Sequence, residues 1–96
     1  MSKVFKKQFK TKYKKDKMRE FINKIIRDVP ALKAVVERVE WQDDTLIFVS
    51  KIGDGFFVIA DYIVLLEINL NFVGSMAKNQ IEAVLDAEFL KFNEKN

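Results

Sequence analysis

Apolar and polar positions alternate with period two in five stretches of this chain and recur at three and four in two others. VFKKQFKTKY (residues 4–13) sets Phe5, Phe9, Thr11 and Tyr13 on one side and Lys6, Gln8, Lys10 and Lys12 on the other. That is the pattern of a strand buried on one face and covered by lysines on the other. Lysines of this kind also keep a sheet edge from pairing with other chains. DKMREFINKIIRDVP then changes period: Met18, Phe21, Ile22, Ile25, Ile26 and Val29 form a helical stripe. Asp16 stands where a carboxylate can cap the first turn. Pro30 disfavours helix at the residue before it, which predicts an end near Asp28. ALKA predicts one further turn.

Four short strands follow. VVERVEW (35–41) places Val35, Val39 and Trp41 together. Asp43-Asp44 is a turn signal, and TLIFVSKI (45–52) is the next strand. GDG (53–55) offers residues tolerant of positive φ, as a tight hairpin needs. FFVIA, a turn at Ala60-Asp61 and YIVLLEINLNF (62–72) complete the set. Gly74-Ser75 opens a helix with Ser75 as its cap and Ile81, Val84, Leu85, Phe89 and Phe92 as its stripe, and the tail FNEKN frays.

The order β-α-β-β-β-β-α predicts one α+β domain over residues 1–96. Consecutive hairpins make an antiparallel sheet, and two amphipathic helices cover one face of it. The architecture expected is two-layered, resembling a miniature helix-grip fold.

This leaves a problem at FFVIADYIVLL (56–66), where ten of eleven residues are apolar or aromatic. The run is too short to span a bilayer as a helix, which takes about 20 apolar residues. If Leu46, Phe48, Phe57 and Ile59 face the helices, then Ile47, Val49, Phe56, Val58, Ala60, Ile63 and Leu65 face away, with no layer of the chain to cover them. Burying about 600 Å² of such a patch is worth roughly 15 kcal/mol before association costs. Self-association through Ile47, Val49, Phe56, Val58, Ile63 and Leu65, as a homodimer, is the expectation. An alternative is an apolar-ligand or lipid carrier, with Phe48, Phe72, Ile81 and Phe89 around a cavity between the sheet and the last helix.

Charge changes the picture at one end only. The net charge is +3, yet residues 1–19 hold nine Lys or Arg against one Asp, and the others hold eight against thirteen acids. Lys6, Lys10, Lys12 and Lys14 are candidates for an anionic partner, nucleic acid included. The aromatics between them point inward, however, leaving the lysines without stacking partners, so a solvated edge is preferred. The absence of cysteine fits a reducing cytoplasm and removes thiolate zinc sites and thiol nucleophiles. MSKVFKKQFK lacks the apolar core of a secretory signal.

Candidate chemistry is sparse. There is no histidine, so the Ser-His, Cys-His and HExxH arrangements are excluded. Asp43-Asp44 offers too few oxygens for a calcium loop. GDG lacks the following helix of a phosphate loop. Glu67 shares a face with Asn69 and Asn71, which reads as a wet sheet surface, and Trp41 reads as core. No catalytic residue, cofactor or metal is expected, and the chain is read as non-enzymatic.

From Trp41 onward, WQDDTLIF, GFFVIAD, VLLEINLNF and GSMAKNQIEAVLDAEF succeed one another. In that order they resemble the small bacterial family called polyhydroxyalkanoic acid system proteins, whose closing pattern is a Gly-led helix containing IEA. The family is named from its gene neighbourhood with polyester-storage genes and has no established reaction to carry over. The resemblance implies an accessory or granule-associated role, in which an apolar face docks on a hydrophobic surface or on a second subunit. The lysine-rich start is a departure from it.

Overall fold

The computed structural model describes residues 3–94, and in it the two periodicities become five strands and three helices. They are β1 (Lys3–Lys10), α1 (Lys15–Asp28), α2 (Pro30–Val35), β2 (Val36–Gln42), β3 (Thr45–Ser50), β4 (Gly53–Ala60), β5 (Ile63–Leu70) and α3 (Phe72–Glu94). All five strands join one antiparallel sheet in the order β1-β5-β4-β3-β2. The last four form a meander through two-residue turns at Asp43-Asp44, Lys51-Ile52 and Asp61-Tyr62. Asp43 (φ 53°) and Tyr62 (φ 69°) take the left-handed backbone that such turns use. The first strand lies beside the last.

The inner face of the sheet and the stripes of the helices form one core. Met18 and Ile22 of α1, Leu46 of β3, Ile59 of β4, Leu66 of β5 and Leu85 of α3 are almost wholly buried in it. Side chains of this size each contribute roughly 1.5–3 kcal/mol by leaving water. The expected α+β class and antiparallel sheet are what the chain adopts.

Several local expectations are corrected. GDG is not a turn: Gly53 and Gly55 are already in β4, and the turn is Lys51-Ile52. A Cβ at either glycine would fall less than 3.0 Å from a main-chain carbonyl of β5, Asn69 at Gly53 and Glu67 at Gly55. These glycines serve close backbone approach rather than chain reversal. Strand β5 ends at Leu70, and α3 starts at Phe72, three residues ahead of Ser75. Asn71 opens that helix by accepting the Gly74 N–H on Oδ1 at 2.8 Å. Helix α3 also runs through the expected fraying segment as far as Glu94, the last two residues lying outside the described ones. Its end is pinned to the segment that follows β1, since Thr11 Oγ1 donates to Asn93 Oδ1 at 2.7 Å and the Lys12 N–H to the same oxygen at 3.2 Å.

Asp16 does not cap α1 either. It lies inside the first turn, the capping position is Lys14, and the Lys15 N–H is accepted by Asp61 Oδ1 at 3.0 Å. A turn between two distant strands thus holds the start of the first helix. Asp61→Ala should cost about 1 kcal/mol in urea unfolding, the usual value of a cap. Asp16→Ala should cost only a few tenths, from its weaker interaction with the helix dipole.

Candidate functional site

The outer face of the sheet can be laid out row by row from the strand registers. One row runs Lys10, Ile63, Ala60 and the next Gln8, Leu65, Val58, Thr45, Gln42. A third is Lys6, Glu67, Phe56, Ile47, Glu40 and a fourth Val4, Asn69, Asp54, Val49, Arg38. The two edge strands therefore supply mostly polar side chains, and the three inner strands supply an apolar centre. Ile47, Val49, Phe56, Val58 and Ile63 are half-buried, and Leu65 is 43% exposed. The six residues singled out from alternation are brought together on this face. Val4, 55% exposed, stands on the same face at the β1 edge, separated from the apolar centre by Asn69.

Glu67 interrupts the apolar centre, and Lys6 answers it across the β1–β5 ladder, with Nζ 3.7 Å from the carboxylate. Around this pair lies a shallow depression of about 440 Å³ bordered by Gln8, Phe56, Val58 and Leu65. A second, of about 480 Å³, lies towards the opposite edge between Arg38, Glu40, Gln42, Ile47 and Val49. The face is thus a low apolar ridge between two hollows with polar margins.

The four residues of the proposed ligand cavity are dispersed. Phe48 and Ile81 line a space of about 30 Å³ between the sheet and the helices. That is room on the scale of a water molecule. Phe89 is not on it: its ring stacks on Phe9 at 4.0 Å. Phe72, expected on the inner face of the last strand, lies outside the core on the first turn of α3 and is 81% exposed. It forms with Val73 and Met76 an exposed apolar cluster at that end of the molecule. The signal for it was Asn71, a good helix-capping residue that ends the strand early.

Lys10 and Lys14 are exposed, Lys6 reaches Glu67, and the Lys12 ammonium lies 5.6 Å from the Tyr13 ring. Phe5 and Phe9 of the same strand are buried, so β1 offers no stacking platform. Much of the sequence's charge asymmetry is closed internally. Lys7, on the helix side of β1, bonds Glu82 at 2.8 Å and lies 3.4 Å from Asp86, while Lys15 bonds Asp44 at 3.1 Å. The Glu82 bond holds the Lys7 ammonium above the usual lysine range, and the same bond holds the Glu82 carboxyl below the carboxylate range. Trp41 is anchored at the core margin, its Nε1–H donating to Asn23 Oδ1 at 3.0 Å beneath the Arg19 guanidinium.

Among the described residues no group of three or more acidic side chains is placed to hold a metal ion, and no helix is long and apolar enough to cross a membrane. The chain matches no family model, no curated protein and no solved structure at a significant level.

Proposed function

We propose that the protein acts by self-association, without chemistry of its own, the outer sheet face of one copy covering that of another. The support is a single observation: among the described residues no second layer lies above the apolar centre formed by Ile47, Val49, Phe56, Val58, Ile63 and Leu65. An apolar patch with a polar margin is the usual anatomy of a protein interface. The resemblance to polyhydroxyalkanoic acid system proteins adds a context, that of an accessory factor whose oily face meets a granule or a second subunit. A lipid carrier would need the sheet and α3 to part, because the space between them now admits about a water molecule.

Light scattering coupled to size exclusion should give at least twice the 11.3 kDa chain mass at high protein concentration. Phe56→Lys with Val58→Lys should weaken the association at least about 100-fold, since each copy contributes both side chains and buried charges replace them. Circular dichroism should be unchanged, because both side chains lie outside the core. A strictly monomeric wild type, or a double variant that unfolds, refutes the proposal. Adsorption of a monomer to a hydrocarbon surface through the same residues would replace the second copy as the occupant.

A further inference from the structure

The two edges of the sheet are protected differently. No acid occurs within β1, so no self-pairing of that strand can set opposite charges side by side. Lysines on an edge are a common means of keeping it unpaired. Strand β2, VERVEWQ, has neither lysine nor proline. Residues Glu37 to Glu40 are exposed. Val39 is 43% exposed even though it stands on the helix side of the sheet, opposite Phe48.

The direction of the free hydrogen-bonding groups follows from the hairpin. In a two-residue turn the flanking residues, here Gln42 and Thr45, exchange hydrogen bonds. Alternate residues Glu40 and Arg38 then also turn their N–H and C=O towards β3, and Val39 and Trp41 turn theirs to the open side. A second β2 can pair antiparallel in registers centred on Arg38, Val39 or Glu40. The first sets Arg38 against Arg38, and the third sets Glu40 against Glu40. Centring on Val39 sets Arg38 of each copy opposite Glu40 of the other, twice by symmetry, and joins Val39 to Val39 on the helix side. Opposite charges across a ladder stabilise it and like charges destabilise it, so charge selects one register of the three.

We propose that β2 is a second self-association surface, pairing antiparallel with β2 of another copy about Val39 so that two five-stranded sheets become one. It uses the sheet edge and does not depend on the outer face being covered. The bulge between Val36 and Arg38 ends the regular ladder there, so the joint is short and its occupancy rises with concentration. A chain with two self-complementary surfaces would assemble beyond a dimer.

The absence of cysteine makes this testable by a single introduced thiol. Hydrogen-bonded antiparallel partners lie about 5.5 Å apart at Cα, within disulfide reach. Oxidation of Val39→Cys should give a disulfide-linked dimer at least about tenfold faster than Gln80→Cys, an exposed position on α3. Adding Arg38→Glu or Glu40→Arg alone should slow that cross-linking about tenfold, because two attractive pairs become repulsive. Adding both should restore it to within about twofold. The same series in the Phe56→Lys, Val58→Lys background separates edge from face, the cross-link persisting there if the edge pairs by itself. Val39→Cys no faster than Gln80→Cys, or a charge-exchanged double variant as slow as the singles, overturns the proposal. An edge taken by a strand of another protein would also overturn it, by leaving Val39→Cys monomeric.

Discussion

Phe89→Ala should lower the unfolding free energy by about 4 kcal/mol, the middle of the range for removing a buried phenylalanine. Phe89 is 3% exposed and joins three elements. Its ring stacks on Phe9 of β1 at 4.0 Å and 8°, and meets Phe21 of α1 edge to face at 5.0 Å and 83°. Phe21 in turn stacks on Phe92 at 4.2 Å. Aromatic pairs add about 0.5–1.5 kcal/mol beyond burial, so truncation removes packing and ring geometry together. A domain of this size has about 5–15 kcal/mol in total. Urea unfolding should therefore show a large fall in midpoint at unchanged slope. A loss below about 1 kcal/mol would mean that α3 does not depend on this cluster for its seat.

Gly53→Ala should be nearly as damaging, at about 3 kcal/mol, with the melting temperature falling by roughly 12 °C or more. Gly53 holds φ +138°, and a Cβ there would press on the main chain of Asn69 and Leu70. The obstacle is backbone inside a paired strand, which cannot rotate aside as a side chain can. A glycine in a loop at an alanine-compatible negative φ predicts the opposite sign, since replacement there stabilises by about 0.4–1 kcal/mol. Thermal melting of this one variant therefore tells a glycine required by its backbone and its neighbours from one that alanine can replace.

The difference between those two roles marks where sequence reading stopped. GDG has the composition of a hairpin turn, and nothing local distinguishes a glycine needed for positive φ in a loop from one needed beside another strand. The same holds for capping. Asp16 is the nearest acid to the helix start, yet the N–H of Lys15 goes to Asp61, 46 residues away. Phe72 continues the apolar alternation of the strand before it, so periodicity alone carries β5 two residues too far. Only the amide of Asn71, bonded to Gly74, ends it.

Of the candidate surface, the apolar half was legible. Ile47, Val49, Phe56, Val58, Ile63 and Leu65 follow from alternation against an apolar inner face, and the strand registers bring them together. Its margins were not legible. Nothing in the alternation of VFKKQFKTKY says that it lies beside β5, putting Lys6 next to Glu67, or that β2 is left as the opposite edge.

What the sequence determined by itself is the apolar side of each element, because periods of 2.0 and 3.6 residues are properties of a few consecutive dihedral angles. Tertiary structure decided which element lies beside which, and so which charges meet and which edge stays open. Those choices come from burying the inner faces of all the elements at once, a condition on residues far apart in the chain that no local period records.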